Sequence, residues 1–407
     1  MSASRRRRLI AAGASGVAGT AEDGSREHQT TIFERLDTLT RRAGVGDPRG
    51  PAVALFAIVL ALMSIGLLMQ ASHAATTYEP AEFREQLRSQ TLFRVAGLAL
   101  MLGAARLGPS GVRRFIPAAC VLVAICLLGV FVPATSVVIN GSHRWIDLGL
   151  VRFQPSELAR IVIVLWLADR CVRLGPLVRD MRKGFIPMLS MLLFFFALIA
   201  SETDLGGGLL LLLCGFTTMW VGGARPSHVF LILGGVTSSA LALGFATIPY
   251  MRHRIQVFFG NQSSQQISDS LAAMQSGGLY GVGLGQGTYR NLGVPYLESD
   301  LVFAQVGEEL GYLGMLLVLA LLVAYLWFSL RLVLSIRDRF DALASFGLLV
   351  STALQAMLHV QVVAGLAPPK GMTLPFISHG GTSLVVSCLG VGLALGAARR
   401  NARETAT

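Results

Sequence analysis

Apolar residues are gathered in long blocks along this chain, and the block lengths give its first reading. From Pro51 onward, about ten segments of roughly 17 to 25 mostly apolar residues alternate with polar connections, the length a helix needs to cross about 30 Å of hydrocarbon. They centre on 52–71, 91–107, 115–133, 156–172, 185–201, 206–222, 228–248, 302–330, 341–364 and 380–398. None shows the two-residue alternation of a membrane β-strand. The pattern predicts an all-α polytopic membrane protein of about ten transmembrane helices, with one long loop, 249–301, between helices 7 and 8.

Three regions follow. Residues 1–50 are polar and open on the run Arg5 to Arg8, too poor in uninterrupted apolar sequence for a secretory signal. They read as a largely disordered segment, in which Ile32, Phe33, Leu36 and Leu39 recur at the spacing of a short surface helix. Residues 51–398 form the transmembrane domain, and 399–407 a short tail. Arg113, Arg114, Arg173, Arg179, Arg182, Lys183, Arg337, Arg339, Arg399 and Arg400 fall in connections on one side, which places both termini in the cytoplasm and 249–301 in the periplasm.

Composition supports this. Of 407 residues, 53% are hydrophobic and 14% charged, too apolar for a soluble domain. The net charge of +11 is dispersed at the ends of apolar blocks, which fits membrane topology and contact with membrane lipids rather than nucleic acid. The five cysteines lie within or beside apolar blocks, and the seven histidines lack ligand spacing, so neither a disulfide framework nor a His/Cys metal centre is expected.

The chemistry concentrates in a few polar motifs. In 294–314, Glu298, Asp300, Glu308 and Glu309 stand where the long loop gives way to an apolar helix. Burying an Asp at a bilayer centre costs about 2.5–3.5 kcal/mol, so acids in such a place call for a function. With a helix starting near Ser299, Asp300 and Glu308 share a face and Glu309 points away. Asp300, nearest the water and beside cations, suits a general base on a sugar hydroxyl. Arg144, Arg152, Arg252, Arg254, Arg290 and Lys370 break the charge rule on the loop side, as cations holding an anionic ligand would. Glu298 and Asp300 together leave a divalent cation possible, with no other cofactor expected.

Four further stretches are distinctive. Gly141-Ser142-His143-Arg144-Trp145-Ile146-Asp147 leads to Gln154-Pro155-Ser156-Glu157-Leu158-Ala159-Arg160. There Pro155 can open a helix, and the spacing lets Glu157 and Arg160 neutralise each other inside the bundle. Ser201 to Gly208 reads as a tight turn between packed helices. The glycines of Ser276 to Gly287 lack the dinucleotide-binding spacing and suggest a flexible, partly helical loop that packs back over a cavity. Pro368 to Ser383, with three prolines and a double glycine, excludes a regular helix and so should line protein or a wet cavity.

Taken together, these motifs, with Ser-Asp-Leu-Val-Phe-Ala at 299–304 and Leu-Pro-Phe-Ile-Ser-His-Gly-Gly-Thr-Ser at 374–383, resemble the SEDS family of FtsW, RodA and SpoVE over roughly residues 50–400. The resemblance implies a ten-helix enzyme of the bacterial cytoplasmic (inner) membrane, a peptidoglycan glycosyltransferase polymerising lipid II with a class B penicillin-binding transpeptidase and divisome proteins. Pro-Lys-Gly-Met-Thr-Leu-Pro at 369–375 is closer to the FtsW branch, which implies septal synthesis; a RodA-type elongation polymerase, a lipid II flippase and a non-catalytic scaffold are the alternatives. The family's essential aspartate falls on Asp300. Arg252, Arg254 and Lys370 are then expected at the departing pyrophosphate, with His143, Arg144 and Trp145 as further substrate-binding residues. Gln154, Ser156, Glu157, Arg160 and Glu308 are expected in support. The chain departs from the family pattern at Arg160 (usually Lys), Thr203 (Pro), Glu298-Ser299 (commonly His-Thr) and His379 (Tyr).

Overall fold

The computed structural model describes residues 47–132, 136–139, 142–147, 149, 152–247, 265–291, 298–368 and 370–404. The arginine run and expected surface helix before residue 47, and Arg252 and Arg254, lie outside the described residues. Every expected apolar block falls on a helix. In chain order these are α1 (Arg49–Thr77), α2 (Pro80–Val112), α3 (Ile116–Gly129), α4 (Pro155–Leu174), α5 (Ile186–Ser201), α6 (Leu205–Val221) and α7 (Pro226–Thr247). Then come α8 (Gln265–Ser276), the single turn α9 (Thr288–Asn291), α10 (Val302–Ser335), α11 (Arg339–Val363) and α12 (Gly381–Glu404). Among the described residues, six helical stretches are long and apolar enough to cross a bilayer, α2 and α3 counting as one. The expected number of ten is therefore not fixed by length and composition alone.

Prolines open many of these helices where their missing N–H costs nothing: Pro80, Pro155 and Pro187 stand at first-turn positions. Close packing is set by small residues. Along α2 and α12, a Cβ on Gly392 would lie 2.4 Å from the Met101 carbonyl oxygen, and one on Gly396 2.6 Å from Gly108. Gly108 itself takes a left-handed φ of 66° and kinks α2 there. Two large buried clusters result, one around α4, α5 and α6, the other around α1, α10 and α12.

Three features differ from the sequence expectation. The all-α membrane fold carries one small addition at 136–153, an antiparallel sheet of β1 (Ser136–Ile139), β2 (Ser142–Asp147) and β3 (Arg152–Phe153), in the order β1-β2-β3. The described part of the long loop is partly helical and packs back, as expected, but its glycine turn is tied down rather than loose: α8 lies on α10, and the backbone of 278–283 is bonded to it. Finally, α10 begins at Val302, not near Ser299, so Asp300 sits in a turn before the helix and shares no helical face with Glu308.

Candidate active site

The sheet, the turn between α5 and α6, the turn 298–300 and the irregular segment 370–380 meet at one end of the bundle, the end that carries the long loop. Asp300 and Lys370 line a single pocket there with Gln266, Ile267, Leu301 and Val362. Gly371 lets the chain run against the acid; a Cβ at that position would stand 2.9 Å from Asp300 Oδ2. On its other flank Lys370 reaches α6, where a Cβ on Gly206 would stand 3.3 Å from the lysine Cδ. One cation thus spans from the Asp300 turn to the first turn of α6.

Beyond Lys370 lies the second half of the site. Arg144 on β2 donates to the Thr203 carbonyl oxygen (2.7 Å) and stands 3.8 Å from Asp204 Oδ1. Asp204 also accepts from the Gly207 N–H (3.0 Å), capping α6, and from Gln154 Nε2 (3.4 Å). Gln154 Nε2 donates in addition to Ser156 Oγ (3.0 Å). Trp145 is half-buried on the same strand, and His143 is in register with Val138. Beside them Glu202 is 1% exposed, and neither of its carboxylate oxygens has a hydrogen-bond partner. Burial, reinforced by the Asp204 charge and only partly offset by Arg144, pushes its carboxyl up to about 8.

Glu157 and Arg160 support this site from within the bundle. They stand 3.0 Å apart, a close ion pair whose alignment falls short of a hydrogen bond at Glu157 Oε2. Arg160 donates to Gln355 Oε1 (2.6 Å), and Gln355 Nε2 lies 3.1–3.2 Å from Thr373 and Ser383. His359 Nδ1 faces the Met372 carbonyl oxygen at 2.7 Å. The segment carrying Lys370 is therefore held by α4 and α11 through buried hydrogen bonds, which is how backbone without regular structure persists at such depth.

Glu298 is engaged elsewhere than at Asp300. Its Oε2 lies 3.2 Å from His73 Nε2 and its Oε1 3.3 Å from His379 Nδ1. Burial pushes the Glu298 carboxyl up, but the hydrogen bond from His379 and the charges of His379 and His73 outweigh it and hold it below the usual range. Among the described residues, no group of three or more His, Cys, Asp or Glu side chains could hold a metal ion. With both oxygens of Glu298 facing imidazoles, a cation shared with Asp300 would have to displace them.

Glu308 and Glu309, both fully buried, clamp the glycine loop instead of facing Asp300 along one helix. Glu308 Oε1 accepts from the Tyr289 N–H (2.9 Å), while Glu309 takes Ser72 Oγ and Gln305 Nε2 (3.2 Å). His73, His359, Gln355 and the Gln70–Arg94 pair that reaches the Ile377 carbonyl oxygen carry no motif of their own and were not singled out by the sequence.

Comparison with known proteins sets this geometry in context. Residues 52–403 match the cell cycle protein family that groups FtsW, RodA and SpoVE. The chain belongs to that family. It is 32% identical over 357 residues to the stage V sporulation protein E of Bacillus subtilis, covering 86% of this chain and 97% of the relative. It is also 32% identical over 386 residues to a probable peptidoglycan glycosyltransferase FtsW of Thioalkalivibrio sulfidiphilus, covering 92% of each. A chain from a peptidoglycan synthase complex, solved to show how polymerization and crosslinking are coordinated, superposes with a TM-score of 0.72 at 25% identity, over 85% of this chain and 97% of that one. With its apolar helices, this membership makes the chain an integral membrane protein. Glu298 and His379, two of the positions at which the sequence is expected to depart from the family pattern, face each other in space.

Proposed function

We propose that this chain is a peptidoglycan glycosyltransferase of the FtsW type, polymerising lipid II into glycan strands at the outer face of the bacterial cytoplasmic membrane for septal wall synthesis. The names borne by its relatives support the activity. The observation that carries the residue assignment is the pocket shared by Asp300 and Lys370 at the loop end of a membrane bundle. An acid and a cation at one mouth suit a reaction that needs a base and an anionic leaving group together.

In this reading Asp300 takes the proton of the acceptor lipid II sugar hydroxyl. The freed oxygen attacks the anomeric carbon of the growing chain from the face opposite its polyprenyl pyrophosphate, with inversion. As that C–O bond breaks, charge gathers on the pyrophosphate, and Lys370, with Arg252 and Arg254 from the long loop, neutralises it. Arg144 and Trp145 line the approach from β2, the strand that also carries His143. Glu157, Arg160, Gln154 and Ser156 act indirectly, holding the Lys370 segment and the α6 turn. A class B transpeptidase would crosslink the strand, in line with the coupling described for the synthase complex.

The test is to purify the Asp300→Ala variant with its transpeptidase and follow glycan chains from lipid II on a gel. Loss of polymer with the complex intact is the expected result. Normal polymer length would overturn the assignment of Asp300, and labelled lipid II crossing vesicles without polymer forming would favour a flippase.

A further inference from the structure

The glycine-rich turn 277–287 holds apolar side chains out where a water-facing loop would hold polar ones. Leu279, Tyr280, Val282 and Leu284 are all exposed, Tyr280 to 77%, and no charged residue occurs between Ser276 and Gly287. The tip is not loose. Its backbone is bonded to α10 on both sides of the Gly311 kink: Val282 and Gly283 N–H donate to the Glu308 and Glu309 carbonyl oxygens (3.0 and 3.1 Å). Tyr312 and Leu313 N–H donate to those of Gly278 and Leu279 (2.9 and 3.2 Å).

The level at which that tip sits can be read from α10. Residues 302–309 are buried throughout, whereas from Tyr312 an exposed apolar stripe begins that includes Leu313, Leu316, Leu317, Val323, Leu326 and Trp327. From Tyr312 to Arg331, whose guanidinium stacks 5.2 Å over Trp327, is roughly twenty residues. At 1.5 Å each that is about 30 Å, one hydrocarbon thickness with aromatic residues at either end. The loop-side edge of the hydrocarbon therefore lies near Tyr312. α1 gives the same level independently: its apolar run ends just before Ser72, which is bonded to Glu309 and to the Gly285 N–H (2.8 Å).

We infer that the tip 279–284 is an interfacial anchor whose leucine, tyrosine and valine side chains enter the loop-side leaflet at the boundary between headgroups and acyl chains. Its occupant is the bilayer itself, because the exposed patch is continuous with the lipid-facing stripe of α10 through Tyr312 and Leu313. The absence of charge and the presence of a tyrosine suit that boundary. Since the same turn is bonded to the Glu308 and Glu309 carbonyls, the anchor ties the first turns of α10, which bond to Met69 and Ser72 of α1, to the level of the lipid surface, and with them the turn that carries Asp300.

The experiment places an environment-sensitive nitrobenzoxadiazole label on cysteine variants of the full chain in phosphatidylglycerol/phosphatidylethanolamine vesicles. Wild type treated alike gives the background from native cysteines. Tyr280→Cys, Val282→Cys and Leu284→Cys are compared with Leu313→Cys as the lipid reference and Gln265→Cys as the aqueous one. The tip labels are expected to follow Leu313→Cys, with quenching by shallow nitroxide lipids at least about twofold above Gln265→Cys and iodide quenching correspondingly weaker. Iodide quenching equal to that at residue 265 would overturn the anchor. So would protection from both quenchers, which would mean that protein covers the tip. Three positions keep the outcome readable if one variant does not fold.

Discussion

At the scale of single residues, two carboxylates near the candidate site are held in opposite states. Glu298 is drawn below its usual range by His379 and His73, whereas Glu202 is buried without a hydrogen-bond partner and titrates only near 8. The consequence for Glu202 follows from linkage. The folded chain keeps the proton that the unfolded chain gives up above about 4.3, so between that value and about 8 the unfolded state binds fewer protons. Stability therefore falls as pH rises through this window and levels off above it. A Glu202→Gln variant, which cannot ionise, should be more stable than wild type at pH 8 by more than about 1 kcal/mol, and so unfold at a higher temperature, but lie close to it at pH 5. Thermal unfolding in detergent at the two pH values checks this; a gap that is the same at both would show that Glu202 is ionised in the fold. A second residue-scale prediction concerns the relay from α4. Arg160→Met removes the donor to Gln355 and leaves Glu157 buried without its cation, so it should lower the rate of polymerisation at least about tenfold while the chain still enters the membrane. The same loss restored by Arg160→Lys would show that charge, rather than the planar guanidinium, holds the segment.

At the scale of elements, the helices were legible because the apolar blocks are long and their ends are marked by proline and charge, as at Pro80, Pro155 and Arg339. What escaped was set by contacts between distant parts. The hairpin β1–β2 has a local signal in Asn140-Gly141 between β-branched and aromatic runs, but it is short beside the neighbouring apolar blocks. The start of α10 at Val302 depends on Ser378 Oγ, which donates to the Ser299 carbonyl oxygen (2.6 Å) from across the bundle, something no helical spacing could reveal. Likewise Asp300 and Lys370 were each named from their sequence surroundings, while their shared pocket required the fold. The glycine turn shows why composition alone suggested flexibility: its glycines serve close approach. A Cβ on Gly281, at φ 84°, would stand 2.2 Å from the Glu309 carbonyl oxygen, and one on Gly311 2.3 Å from the Gly281 nitrogen; Gly278, at φ 55°, has open space around it. Gly281→Ala should therefore destabilise by more than about 2 kcal/mol and loosen the loop, whereas Gly278→Ala should carry only the left-handed penalty of about 1 kcal/mol. Hydrogen exchange of 277–291 and thermal unfolding distinguish the two; equal effects would mean that the backbone contact does not limit the turn.

At the scale of the whole molecule, the bundle sorts its polar networks to two ends. One end gathers Arg113 with Asp169 (2.7 Å) and Phe340, Arg173 with Asp169 (2.7 Å), Arg400 with Asp341 (3.7 Å) and the Arg337 N–H with Asn401 (3.1 Å). The other gathers Arg144 with Asp204, Glu298 with His73 and His379, and the pocket of Asp300 and Lys370. The first end holds most of the arginines in short connections, so the proposed topology, which follows the positive-inside tendency, has it facing the cytoplasm and the candidate site facing outward. The proposed polymerisation at the outer face requires that orientation, because Asp300, as the proposed base, has to meet substrate on the side where the wall is built. A cysteine in place of Gln265 should react with a membrane-impermeant maleimide on intact spheroplasts, and one in place of Arg403 only after the membrane is permeabilised. Native cysteines, four of them buried and Cys126 half-buried, give the background in wild type. The opposite labelling pattern would put Asp300 and Lys370 on the cytoplasmic side and rule out their action on an outward-facing lipid-linked sugar, whatever the chemistry of the pocket.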